Sequence, residues 1–361
     1  MLDTKFGCLP TMIGSMPHTD PTEACSLVTR FLKDIPVWPQ LPKRSFLENM
    51  YVQYSQGFPG VVIESEGEKI YVDRAQDLTK PLERLYQAYL ENDFAKYPVS
   101  QDYAQGLYAF LALDNLSPRA VKGQVTGPIS WGLAVSEVIR KPAHPVQIGV
   151  KGDAVSTLRP VLYDDVLGDA VAKLLKLKAG WQERVLKKLS RNTIIFLDEP
   201  YMTSYGSAYI SLSRERVISL LDEVFGGISG LKGIHCCGNT DWSVLLATQV
   251  NILNFDAYNF AESLSLYPKE VKRFLDRGGA IAWGIVPNQT ETLGKETVAS
   301  LKDRLEEAMS PFTRHGIPFK QLIEQGLLTP SCTLMPLGEE GAGQALEMLT
   351  GLSAAIRKRY L

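Results

Sequence analysis

Eight short apolar runs alternate with longer amphipathic segments along this chain of 361 residues, and this alternation limits the fold more than any other feature. Short apolar runs predict buried parallel strands, and apolar residues spaced three and four apart predict helices that cover a sheet. Strands and helices in alternation, over this length, predict a (β/α)8 TIM barrel that forms a single domain. The candidate strands are residues 11–15, 36–39, 120–125, 193–197, 231–236, 252–256, 280–285 and 327–331.

Six segments between these runs have the spacing of amphipathic helices. The clearest one covers residues 170–189, where seven apolar residues share one broad face. The other five are residues 81–91, 214–224, 269–276, 295–308 and 343–357.

The segment of residues 61–72 interrupts the alternation between the second and third candidate strands. Two β-rich runs flank Glu66 and Gly67, which predicts a β-hairpin insertion near the barrel mouth. Two interpretations remain open: the hairpin is a lid or substrate wall over the mouth, or it is a surface hairpin with no role in function.

Charge and cysteine content restrict the partners and the compartment. The chain has 38 Lys and Arg against 40 Asp and Glu, so we expect neither a nucleic acid nor a membrane as a partner. The sequence has no apolar stretch of membrane-spanning length and no signal-peptide pattern at its first residues. Five cysteines, an odd number in a long chain, indicate reduced thiols. We therefore expect a cytoplasmic protein.

The candidate metal ligands are His235, Cys237 and Cys332. Because side chains alternate along a strand, His235 and Cys237 point to one face and Cys236 points to the other. One imidazole and two thiolates suit Zn²⁺, and three protein ligands leave a fourth position for a substrate. The alternative is that these cysteines are ordinary core residues.

Other reactive side chains follow the candidate strands. Asp198 and Glu199 end a very apolar run, where either residue binds a substrate ammonium, acts as a base or caps the next helix. Asp256 is an oxygen ligand of the metal, a residue that holds the His235 ring, or the cap of a turn. Ser15 ends the first run, and His18 just beyond it is a candidate for proton transfer.

Together these residues resemble the superfamily of cobalamin-independent methionine synthase and uroporphyrinogen decarboxylase, close to its corrinoid-dependent zinc methyltransferases. The resemblance is to the catalytic C-terminal barrel of the synthase and covers about residues 10–335. The motifs are Ile13-Gly14-Ser15, Lys122-Gly123-Gln124-Val125-Thr126-Gly127-Pro128, Asp198-Glu199-Pro200, and His235 with Cys237 and Cys332.

The resemblance implies a role for each motif. Ile13, Gly14 and Ser15 are expected to hold the amino-acid end of homocysteine, and Asp198 to bind its ammonium. His235, Cys237 and Cys332 match the zinc ligands, and Asp256 falls where the synthase has a ligating glutamate.

The chain also departs from the synthase. Its sequence has about half the length of a full synthase, so we expect no counterpart of the N-terminal barrel that contributes to folate binding. Ser204 stands where the synthase has a folate-contacting glutamate, and no histidine lies near Ile285, where the synthase carries a proton donor. These differences favour a methyl-corrinoid, either free or on a corrinoid protein, over methyltetrahydrofolate as the methyl donor.

The sequence therefore predicts a zinc-dependent methyltransferase that acts on a small thiol, with homocysteine as the first candidate acceptor. Another thiol such as coenzyme M remains possible, because Gly238-Asn239-Thr240 is more like the methylcobamide:thiol methyltransferases. A lyase like uroporphyrinogen decarboxylase would need an arginine-rich cleft, and few arginines follow the candidate strands. A non-catalytic protein that binds a corrinoid or a metal is the third alternative.

Overall fold

A parallel sheet of seven strands forms the centre of the computed structural model, which describes residues 3–114, 116–140, 156–207 and 210–361. The strands of this sheet are β1 (Leu9–Pro10), β4 (Val121–Thr126), β7 (Thr193–Asp198), β8 (Leu231–Cys236), β9 (Ile252–Phe255), β10 (Ala280–Val286) and β11 (Gly326–Pro330). Their order in the sheet is β1-β11-β10-β9-β8-β7-β4, and every neighbouring pair is parallel.

The sheet curls into a half-barrel that regular strand pairing does not close. Residues 36–40 span the gap between β1 and β4 through isolated parallel bridges, Ser15 with Gln40 and Val37 with Lys122. The predicted α/β class with parallel strands is confirmed, but the structure does not show a closed eight-stranded barrel.

Two of the predicted strands are wrong. Residues 36–39 form no regular strand, because Pro36 and Pro39 have no N–H to donate to a ladder. Residues 11–15 contain only the bridge at Ser15, since Gly14 has a φ of +150° and turns the chain; the strand itself is Leu9–Pro10. The six remaining predicted strands are confirmed, with ends that differ by one residue at most.

Helices follow most of the strands, and the six predicted helices are all confirmed, with shifted ends. The α-helices are α1 (Pro21–Phe31), α2 (Met50–Gln53), α3 (Thr79–Glu91), α4 (Gln105–Leu111), α5 (Pro128–Ala134), α6 (Asp165–Leu186), α7 (Arg214–Phe225), α8 (Trp242–Leu246), α9 (Ala257–Ser265), α10 (Pro268–Asp276), α11 (Thr290–Leu293), α12 (Val298–Arg314), α13 (Phe319–Glu324) and α14 (Glu339–Tyr360). Short 3-10 helices cover Phe46–Glu48, Phe94–Lys96, Gln101–Tyr103, Val161–Tyr163 and Pro200–Ser204.

The predicted hairpin is confirmed and belongs to a second sheet. Strands β2 (Val61–Glu64) and β3 (Lys69–Asp73) pair antiparallel, and β3 continues to β5 (Ser136–Arg140) and β6 (Ser156–Pro160). Glu137 of β5 is buried and forms ion pairs with Arg74 and Arg159. These pairs fasten the hairpin to its sheet.

The inner face of the half-barrel changes from apolar to polar along the strands. Near the amino ends of the strands it is filled by an apolar cluster that includes Phe196 and Ile252. Nearer their carboxyl ends the register sets Asp198 beside His235 and His235 beside Asn254. Since the carboxyl ends of parallel strands meet at one edge, these polar side chains converge on one mouth. Among the described residues, no helix is long and apolar enough to cross a membrane.

Candidate metal centre

The ends of two strands, β8 and β11, bring His235, Cys237 and Cys332 together. One ligand atom from each residue lies within 4.8 Å of the other two, and His235 Nε2 is 3.6 Å from Cys332 Sγ. His235 lies in β8, Cys237 follows it directly, and Cys332 comes two residues after β11. The structure therefore assembles the three residues that the sequence predicts as zinc ligands.

Backbone contacts fix the two loops that carry the cysteines. The Ser331 N–H donates to Val286 O at 2.7 Å, next to Cys332. Gly238, after Cys237, packs so closely on Thr203 that a Cβ there would lie 2.6 Å from the threonine methyl. The cysteines are thus held by packed backbone.

Asn254 fixes the orientation of the His235 ring. Its Nδ2 donates to Ala282 O and to Thr329 Oγ1, both at 2.8 Å, so its Oδ1 is turned toward His235 Nδ1 at 2.5 Å. An amide oxygen only accepts, and therefore Nδ1 carries the proton. The lone pair of Nε2 is then free for a metal on the side of the cysteines.

The thiols differ in their electrostatic surroundings. A hydrogen bond with Cys332, together with His235, lowers the pKa of Cys237 to about 4, while the same interaction with Cys237 and burial raise the pKa of Cys332. Burial raises the pKa of Cys236 to about 12, and its Sγ lies 3.6 Å from Gly238 O. Two thiols that already favour one thiolate, together with one imidazole, form a donor set that fits Zn²⁺.

Asp198 ends β7 next to the metal ligands. Its side chain is buried, and Oδ1 has no hydrogen-bond partner among the described residues. Burial raises the pKa of Asp198 to about 6, although His235 and Lys122 act to lower it. An unpaired buried carboxylate is costly, so Asp198 is suited to receive a cationic group of a ligand.

Glu199 has a structural contact that the substrate-binding prediction did not include. Its two carboxylate oxygens accept the backbone N–H groups of Ile129 (2.9 Å) and Ser130 (2.7 Å), at the N-terminus of α5. Glu199 therefore caps a helix, which is one of the roles predicted for the Asp198–Glu199 pair. The helix that it caps is α5, and not the segment after Pro200 as the sequence predicted.

Ile13, Gly14 and Ser15 border the same mouth. Ser15 Oγ lies 3.3 Å from Gln40 Oε1, and the Ile13 carbonyl accepts a hydrogen bond from Lys122. Gly14 has no room for a Cβ, which would lie 2.6 Å from the Gln124 side chain. Their role in substrate binding remains a prediction.

Neither Asp256 nor His18 belongs to the cluster. Asp256 caps α9 by accepting the Asn259 N–H at 2.9 Å, and the His235 ring is held by Asn254 instead. The prediction that Asp256 holds this ring is wrong, and its oxygens are not among the grouped ligand atoms.

His18 is buried, and its Nδ1 has no partner within the described ranges. Burial lowers its pKa, and the charges that act on it are those of Glu339 and Glu23 rather than those of the metal ligands. A role in proton transfer at the cluster therefore has no described contact to support it.

Sequence reasoning missed Asn254 and an aromatic pair at the rim. One feature of the sequence could have indicated Asn254: it is a polar residue within an otherwise apolar strand. Tyr51 and Tyr201 meet edge to face with ring centroids 6.3 Å apart. The pKa of Tyr51 is raised by burial and by the charges of Tyr201, Glu199 and Cys237. Its hydroxyl is therefore electrostatically coupled to the metal site. These tyrosines come from segments 150 positions apart, which no local pattern connects.

No family model and no curated protein matches the chain. Among solved structures the chain is similar to a B12-independent methionine synthase from Shewanella sp. W3-18-1, solved in complex with selenomethionine. The two share 17% identity with a TM-score of 0.44, over 66% of this chain and 63% of the other. The match thus spans less than two thirds of the length of the synthase, and this similarity carries no conclusion about activity.

Proposed function

We propose that this chain is a zinc-dependent methyltransferase that transfers a methyl group to a thiol. The observation that carries the proposal is the set of His235, Cys237 and Cys332, with ligand atoms within 4.8 Å of one another, beside Asp198, whose Oδ1 has no partner in the described part of the chain. Zinc bound by three such ligands supplies a fourth position for a thiol and lowers the pKa of that thiol, which makes it a thiolate nucleophile.

The residues of the chain would set both the charge around the metal and the orientation of the substrate. Cys237 and Cys332 contribute negative charge, which keeps a bound sulfur nucleophilic, and Asn254 holds Nε2 of His235 available. Asp198 would bind the ammonium of an amino-acid thiol. Homocysteine is therefore the first candidate acceptor, and coenzyme M, which has no ammonium, is the second.

We further propose a methyl-corrinoid as the donor, either free or on a corrinoid protein docked at the mouth. A folate nitrogen needs a proton as the methyl group leaves, whereas cobalt leaves as Co(I) without an acid. The strand β10 has the sequence Ala280-Ile-Ala-Trp-Gly-Ile-Val286, with no acidic or histidine side chain, and Ser204 supplies no carboxylate at the rim.

Side-by-side assays test the proposal. Zinc-loaded protein is incubated with homocysteine and either methylcobalamin or methyltetrahydrofolate, and methionine is measured. We expect turnover with methylcobalamin and little with the folate. Faster turnover with the folate would overturn the donor proposal, and zinc binding without transfer from either donor to any thiol would overturn the methyltransferase.

The role of Asp198 is tested with Asp198→Asn. We expect this variant to keep zinc and to bind homocysteine more weakly by about 2–4 kcal/mol, as when one partner of a buried charge pair is lost. The matched control is 4-mercaptobutyrate, which has the thiol and the carboxylate but no amine. Equal losses for both acceptors would contradict an ammonium contact.

A further inference from the structure

Lys122 is a fully buried lysine on the inner face of the half-barrel. It lies in β4, and its Nζ donates to Ile13 O at 2.6 Å and to Gln124 Oε1 at 3.3 Å. The Phe196 ring lies below it, with Nζ 4.4 Å from the ring centroid. A lysine in this environment needs such contacts, since an uncompensated buried ammonium is very unfavourable.

The carboxylate whose charge acts on Lys122 belongs to Asp198, yet the described residues show no hydrogen bond between the two side chains. Asp198 and Lys122 influence each other electrostatically. Among the described residues, the Lys122 amine donates to Ile13 O and Gln124 Oε1 and not to Asp198, and Asp198 Oδ1 has no partner there. In the pairing of β4 with β7, Lys122 lies opposite Ile194 and Thr126 lies opposite Asp198, so Lys122 and Asp198 are offset by four residues along the sheet.

Two hydrogen bonds fix the position of the Lys122 amine. Ile13 O and Gln124 Oε1 hold Nζ beneath the Ile13–Gly14 backbone. Gln124 is fixed in turn, since its Nε2 donates to Trp38 O at 3.2 Å and its side chain fills the space beside Gly14. Lys122 thus supports the backbone of the predicted substrate segment and leaves Asp198 open.

We propose that Lys122 is a positioning residue for acceptor binding: it anchors the backbone of the Ile13–Ser15 segment, which receives the carboxylate of the acceptor, and it leaves Asp198 to the amine. This inference rests on the proposed role of Asp198 in binding an ammonium. The site then recognises a thiol that bears an amine beside a carboxylate, the amine at Asp198 and the carboxylate along residues 13–15.

Lys122→Met tests the inference against a matched control. Methionine has nearly the length of lysine and removes only the ammonium and its hydrogen bonds. Lys178→Met is the control, because Lys178 is also fully buried and its Nζ also donates to a backbone carbonyl, that of Pro98, at 3.0 Å. Lys178 lies in α6, on the helical layer outside the sheet.

Two readouts separate this inference from the proposed function. The first is calorimetric binding of methionine and of 3-(methylthio)propylamine, its analogue without the carboxylate, to zinc-loaded protein; this requires no turnover. The second is the KM for homocysteine against that for 3-mercaptopropylamine, which has the thiol and the amine but no carboxylate, with kcat for each. We expect Lys122→Met to retain zinc and to reduce the preference for the carboxylate-bearing ligand in both measurements by about tenfold or more, as when a hydrogen bond to a charged group is lost.

Each result supports or overturns the inference. In Lys178→Met both preferences should stay at the wild-type value. Unchanged preferences in Lys122→Met, an equal change in Lys178→Met, or wild-type protein that binds methionine no better than its analogue would each overturn it. If methionine binding follows the expectation but no donor supports transfer, the proposed function fails and the role of Lys122 stands.

Discussion

Single side chains decide whether this mouth holds a metal, and the Cys236–Cys237 pair gives a matched test. The two thiols are neighbours, but Cys236 points into the core and Cys237 joins His235 and Cys332. We expect Cys237→Ser to lose most of its bound zinc and Cys236→Ser to keep it, as measured by metal analysis after dialysis. Zinc loss from Cys236→Ser alone would contradict the strand alternation on which the site is built.

Asn254 provides a second test at the residue scale. Asn254→Ala removes the acceptor that fixes the His235 ring, and we expect about 10- to 100-fold weaker zinc binding, as for other residues that orient metal ligands. The measurement is a competition titration against a chelator. Asn192→Ala is the control, because Asn192 also donates to a backbone carbonyl, that of Arg119, but lies before β7 at the opposite end of the sheet. Equal affinities in the two variants would remove Asn254 from the account.

At the scale of elements, Glu183 joins α6 to the starts of β7 and β8. It accepts hydrogen bonds from the Ser229 and Gly230 N–H groups and from Thr193 Oγ1. Burial alone would raise its pKa, but these hydrogen bonds outweigh it and leave the pKa below the usual 4.5. Because the pKa of Glu183 is lower in the folded than in the unfolded protein, its ionised carboxylate stabilises the fold at a pH above the unfolded-state pKa. This stabilisation is lost as the pH falls through the lower pKa of the folded state.

We therefore expect Glu183→Gln to lower the free energy of unfolding by about 1–3 kcal/mol at neutral pH. Glutamine has only one side-chain oxygen, so it cannot accept the two backbone N–H groups on separate oxygens as the carboxylate does. The difference from wild type should shrink as the pH falls below about 4.5. Denaturant titrations at several pH values measure it, and Glu347→Gln, at an exposed position of α14, is the control. A loss that is constant with pH would show that the ionised carboxylate is not what stabilises this joint.

Local patterns predicted the elements whose contacts are local and missed those that depend on partners far away in sequence. Strands β7 to β11 follow from apolar runs, and the alternation within β8 separates His235 from Cys236. Residues 36–40 are held by bridges to Ser15 and Lys122, which no run of side chains reveals. The contact of Asn254 with His235 depends on the register of two strands, and that of Glu199 with α5 joins residues 70 positions apart.

For the whole molecule, the central claim is that the half-barrel holds a zinc ion with one nitrogen and two sulfur ligands and an open position for a thiol. X-ray absorption at the zinc edge measures this directly. In protein without substrate we expect one nitrogen at about 2.0 Å and two sulfurs at about 2.3 Å. Homocysteine should add a third sulfur at a similar distance. A spectrum without two sulfurs, or one that homocysteine leaves unchanged, would contradict the account.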